Sequence, residues 1–300
     1  MFGLLKRTVH EFIEDDCPAM AAAIAYYTIF SLPPLLLVVI TVTAPFFGQE
    51  AVQQELRQQI ATLTGQETAR EVQTLLDNAS KTASTGWLGL GLAALLFGAT
   101  TAFAQLQAAL NRAWEVKPDP AQGGFRNFLG KRLLSFGMVL AIGFLLLVSL
   151  ALSAALSAFG EWIENYLPGG ISGGLLQVMY YGVAFLIVTI LFAAIFKFLP
   201  DAKIAWRDVG VGAVLTALLF VTGKFLMGFY IGKSDIGNTF GAAGSLALIL
   251  LWTYYSSMVL LLGAEFTEIW AEAHGKGIEP EPGAVRVVQE KHEVRDPQPA

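Results

Sequence analysis

Six stretches of this chain run for about 20 residues or more with scarcely a charge, the length an α-helix needs to cross hydrocarbon about 30 Å thick. They are Ala19 to Phe47, Trp87 to Ala109, Leu133 to Phe159, Leu175 to Leu199, Asp208 to Tyr230 and Ala242 to Trp270. Backbone polar groups inside a bilayer must be satisfied within their own segment, so runs of this kind predict helices. Composition agrees: 14% of residues are charged, where a soluble domain carries about 25%. A soluble chain of this length still needs charge on its surface, so the deficit predicts a surface that meets lipid. The expected fold class is all-α, a polytopic membrane protein with six transmembrane helices, residues 19–270.

Orientation follows from lysine and arginine, which stay preferentially on the cytoplasmic side. With the N-terminus inside, all but five of the 19 fall in cytoplasmic segments. The exceptions are Arg57, Arg70, Lys81 and Lys233 outside, and Lys224 within the fifth span. No lysine or arginine lies between Arg132 and Lys197, which places the hairpin Gly160 to Gly174 outside. Both termini are therefore expected in the cytoplasm.

The segments outside the spans are of three kinds. Residues 1–18 place Phe2, Leu5, Val9, Phe12 and Ile13 at helical spacing among charges, which predicts a cytoplasmic amphipathic helix rather than a cleavable signal. Such a helix lies along the headgroups or docks on the bundle. The outer insertion 48–86 is too polar to span but spaces Val52, Leu56, Ile60 and Leu63, then Val72, Leu75 and Leu76, as two short amphipathic helices would. It either caps a cavity, lies on the outer leaflet or simply connects. The tail 271–300, with Pro280, Pro282, Pro297 and Pro299 among charges, reads as disordered.

Candidate chemistry centres on the first span, where Pro33 and Pro34 interrupt an apolar run. Proline has no amide hydrogen, so the carbonyls of Ile29 and Phe30 lose their usual donors. At 1.5 Å per residue from Ala19, Ser31 lies roughly 18 Å deep, near the midplane. Broken helices at that depth let transporters offer backbone to a substrate, and Tyr26, Tyr27, Thr28 and Ser31 are placed to assist. The competing reading is a kink covered by a neighbouring helix.

Asn111 and Arg112 end the second span, where an arginine pairs with the phosphate of either a substrate or a lipid headgroup. Lys224 lies roughly 24 Å along the helix from Asp208 and is either a functional ion or a side chain extended to the outer interface. Tyr254 and Glu265 share one stripe of the last span, facing a cavity or another helix, with Glu265 at the cytoplasmic interface. Gly241, Gly244 and Gly263 favour close helix packing. Cys17 has no partner for a disulfide or a metal set and reads as an inert residue near the membrane surface.

His10, His274 and His292 all lie in the tails, and neither a phosphate-cradling loop nor a nucleophile elbow is present in the sequence. No enzymatic activity, metal or other cofactor is expected. The net charge of −5 and the lack of a polybasic stripe give no nucleic-acid footprint. Membrane lipids are the expected partners, and the oligomeric state stays open.

At these same residues the chain resembles the YihY/BrkB membrane proteins of bacteria. The likeness rests on Ala25 to Leu35, Leu106 to Trp114, Gly244-Ser245 with Leu251 to Tyr255, and Leu262 to Glu265. The resemblance implies a six-helix protein of the bacterial cytoplasmic (inner) membrane. Family labels range over virulence or serum-resistance factor, ribonuclease BN and movement of envelope lipids. The reading that fits best is a transporter or flippase-like protein for a lipidic or anionic envelope substrate. A non-catalytic scaffold binding lipid or a partner protein is the alternative. A ribonuclease comes third, since no converging polar cluster suited to RNA cleavage is legible.

Overall fold

The computed structural model describes residues 2–64, 69–70, 72–74, 88–119, 137, 171–233, 244–275 and 277–287. Seven helices are defined there: α1 (Phe2–Glu14), α2 (Cys17–Phe47), α3 (Gln49–Thr64), α4 (Leu88–Ala113), α5 (Ile171–Phe198), α6 (Trp206–Lys233) and α7 (Gly244–His274). Among the described residues, four segments are long and apolar enough to cross a membrane, Cys17–Pro45, Tyr181–Phe198, Trp206–Met227 and Leu246–His274. Helix α4 occupies the second expected span, and Leu133 to Phe159 lies outside the described residues. Each expected span that is described agrees with its helix to about one turn.

Helix α2 packs against α4 and α7, and α6 packs between α5 and α7. The expected interruption of the first span is not a break: α2 continues as helix through Pro33, Pro34 and Pro45. Asp16 in the left-handed region (φ 58°) precedes it, Pro18 sits in its first turn, and Gly48 (φ 84°) ends it by donating to the Ala44 carbonyl. Proline at N1 costs nothing because that amide has no helical acceptor, and glycine reaches the positive φ of the exit without strain. Val52 and Leu56 of α3 fold back onto Leu36 and Ile40 of α2 and Ile249 of α7, forming a small second core.

The main core gathers at the opposite end, around Leu110, Trp114, Phe196, Leu199, Leu261 and Ala264. This end is where α2 and α6 begin and where α4, α5 and α7 finish. Two short antiparallel ladders close it: β1 (Val116–Pro118) with β4 (Ala284–Arg286), and β2 (Ala202–Lys203) with β3 (Glu279–Pro280). Residues 279–280 and 284–286 of the tail form these strands, while 288–300 lie outside the described residues. Proline and charge lower the odds of a helix or a core, but they are compatible with short edge strands whose outer groups face water. Ile278 then enters the main core and holds the ribbons in place.

Candidate functional site

A cluster of polar side chains lies at this closed end. The Asn111 Nδ2 donates to Asp201 Oδ2 at 2.7 Å, and the Asp201 amide donates back to Asn111 Oδ1 at 2.8 Å. Gln107, one turn earlier, reaches Asp201 Oδ1 at 3.3 Å. These bonds tie the last turn of α4 to the connector after α5. Hydrogen bonds to a charged group are worth about 1.5–3 kcal/mol, so Asn111→Ala, which takes two of these bonds from Asp201, is expected to lower thermal stability in detergent by that order. Asn111→Asp, which sets carboxylate against carboxylate, is expected to lower it further.

Beside this clamp, Trp114 Nε1 donates to the Ala264 carbonyl at 3.0 Å, bringing α4 against α7 one residue before Glu265. Glu265 is 0% exposed and lies within the membrane-length segment Leu246–His274. The Cys17 thiol donates to its Oε1 at 3.3 Å. Among the described residues, its Oε2 has no hydrogen-bond partner. Buried polar atoms in folded chains are overwhelmingly paired, so an orphaned carboxyl oxygen inside a membrane helix marks a candidate functional group.

Ion pairs tie α1 and β4 to the last turns of α7. Arg7 bonds Glu11 at 3.3 Å and Glu272 at 2.7 Å, while Arg286 of β4 contacts Glu115 at 3.4 Å and Glu272 at 3.8 Å. Burial, then the charges of Glu11 and Glu115, push the Asp15 carboxyl above its ordinary range, with Arg112 acting the other way. Among the described residues, no three His, Cys, Asp or Glu side chains converge as metal ligands would.

The sequence-derived candidates fall into separate places. Asn111, Arg112 and Glu265 share the closed end, with Asn111 buried and Arg112 exposed. On α2, Ser31 is buried and its hydroxyl is taken up by the Thr28 carbonyl at 3.1 Å, just before Pro33 and Pro34, both half-buried. Tyr26 and Tyr27 instead face outward, 57% and 39% exposed, in an edge-to-face pair with Phe30 packed beside Tyr26. Tyr254 packs against the main core from α7, and Lys224 is half-buried on α6. Sequence reasoning missed Cys17, Asp201 and Gln107 as partners. Cys17 and Glu265 lie at opposite ends of the chain, and no spacing rule links them. Asp201 carried one usable signal, an acidic residue just past a span and close to the basic end of α4.

Residues 8–287 match the protein family described as "Virulence factor BrkB". A UPF0761 membrane protein of Tolumonas auensis is 31% identical over 86% of this chain and 82% of its own length. Another, of Saccharophagus degradans, is 30% identical over 90% of this chain, which spans only 59% of that relative. A Bacillus subtilis protein named as ribonuclease-like, YfkH, is 25% identical over 89% of this chain and 94% of its own. No solved structure matches the chain.

Proposed function

Because the chain belongs to the BrkB family and is an integral membrane protein, we propose that it moves a lipidic or anionic substrate of the cell envelope across the bilayer, as a transporter or flippase-like protein without enzymatic activity. The outward pair Tyr26 and Tyr27 carries this reading. At 1.5 Å per residue they lie about 14 Å along the helix from Cys17, well inside a hydrocarbon core about 30 Å thick. Phenol hydroxyls held out to hydrocarbon at that depth lack water as a partner, and a headgroup crossing the bilayer supplies one. Pro33 and Pro34 leave the carbonyls of Ile29 and Phe30 without helical donors on the next turn, adding acceptors to the same stretch.

Six spans with both termini on the cytoplasmic side of the inner membrane complete the reading. Helices α4 and α5 both end at the layer where α2 and α6 begin. A chain that alternates sides needs a crossing between Ala113 and Ile171, and Leu133 to Phe159 is the apolar stretch available for it. The basic residues concentrate at the same layer. Membrane lipids are then the principal partners, and nucleic acid is not one.

The test is movement of fluorescent phospholipid analogues across vesicles containing purified protein, read by dithionite quenching. Wild-type protein is expected to exceed empty vesicles, and Tyr26→Ala with Tyr27→Ala to cut the rate by about tenfold or more without lowering thermal stability. No movement above empty vesicles, or unchanged rates in the double variant, sinks the proposal. Cleavage of RNA by the purified protein would overturn the non-enzymatic part.

A further inference from the structure

We propose that α1 carries a membrane-contact surface, the stripe Leu5, Val9 and Ile13, which inserts at the headgroup–acyl boundary on the closed side of the bundle. The inference is independent of whether the protein moves lipid. Helix α1 has three faces. Thr8 and Phe12 turn inward, with Phe12 part of the main core. Lys6, His10 and Glu14 form an exposed polar arc. Between these lies the stripe, recurring every fourth residue and 46%, 51% and 64% exposed. Three large aliphatic side chains in one row, bordered by charge on one side and by the protein on the other, form the pattern of a helix held at a lipid interface.

The position of α1 along the bundle selects lipid as the occupant. The apolar spans of α5, α6 and α7 stop at Phe198, Trp206 and His274. These stops share one level, because Phe198 and Trp206 stack edge to face at 5.8 Å and a Cβ on Gly275 would lie 2.7 Å from Asp208 Oδ2. Phe198 and Trp206 are themselves half or more exposed, as aromatic residues at a bilayer boundary are. Arg7 joins α1 to this level through Glu272. From Arg7 the chain runs toward Cys17, whose thiol meets Glu265 two turns further into α7, so Val9 and Ile13 fall on the bilayer side of the boundary. A stripe at that height meets acyl chains, and Lys6 and His10 face the headgroups.

The experiment uses full-length protein in vesicles of phosphatidylethanolamine and phosphatidylglycerol, with a polarity-sensitive fluorophore on single cysteines in a Cys17→Ser background. Val9→Cys and Ile13→Cys are the test positions, and Glu14→Cys is the control. With lipids brominated near the headgroup end of the acyl chain, quenching at positions 9 and 13 is expected to exceed that at 14 by about twofold or more. Equal quenching, or water-like emission at both test positions, overturns the proposal. Shielding that grows with protein density but ignores brominated lipid overturns it as well, since a second copy would then cover the stripe. The two test positions are exposed, so either one alone suffices if the other disturbs folding.

Discussion

Gly212→Ala is expected to lower the melting temperature of the purified protein sharply, and adding Thr267→Ala is expected to restore part of the loss. The reason is a reciprocal contact between α6 and α7. Thr216 donates to the Gly212 carbonyl of its own helix at 2.7 Å, and Thr267 does the same to Gly263 at 2.6 Å. Each threonine then sits where the glycine of the facing helix lacks a side chain. A Cβ at position 212 would overlap Thr267 Oγ1 and lie 2.9 Å from its Cβ, and one at 263 would meet Thr216 in the same way. Both threonines are fully buried, so neither has room to turn aside. Overpacking of this kind costs about 1–3 kcal/mol. Because one contact carries the effect, the cycle should show a coupling of about 1–2 kcal/mol. Thermal unfolding of the four variants in detergent checks it, and additive losses would mean that the helices simply move apart to accept the methyl group.

Glu265→Leu should do the reverse to stability and remove function. The carboxyl is enclosed, and among the described residues one oxygen is held by a thiol and the other has no partner. Leaving a buried polar atom unpaired costs about 1–3 kcal/mol, and an apolar side chain of similar volume relieves that cost. The variant should therefore melt higher than wild type by that order, while lipid movement in vesicles falls to the level of empty vesicles. A side chain that costs stability and is needed for activity is the signature of a functional group rather than a structural one. If Glu265→Leu melts lower, the Cys17 bond is worth more than the orphaned oxygen costs and the residue belongs to the scaffold.

The helices were the legible part because their signal is local. An apolar run of membrane length identifies itself, so the ends of α2, α4, α5, α6 and α7 fall within about a turn of where the sequence places them. Pairings were not legible, since Cys17 with Glu265 and Asn111 with Asp201 are set by how the bundle closes. Gly263 was identifiable as a close-packing residue, but its counterpart Gly212 was not, because the choice of facing helix is tertiary. The lost donors at Pro33 and Pro34 follow from local chemistry, whereas the continuity of α2 past them does not. Loss of two hydrogen bonds does not force a helix to stop when the flanking turns are packed against α4 and α7. The outward turn of Tyr26 and Tyr27 likewise depends on which faces of α2 those neighbours cover.

The ladders β1–β4 and β2–β3 also impose an order on biosynthesis. Residues 116–118 and 202–203 leave the ribosome long before their partners at 284–286 and 279–280. Until then β1 and β2 have open edges, and the pocket that receives Ile278 is empty. The layer cannot be sealed until α7 is in place, because β3 and β4 follow it directly. A chain whose final helix fails to insert is left with those edges unpaired, a state that quality-control proteases and chaperones recognise through exposed apolar surface and open strands.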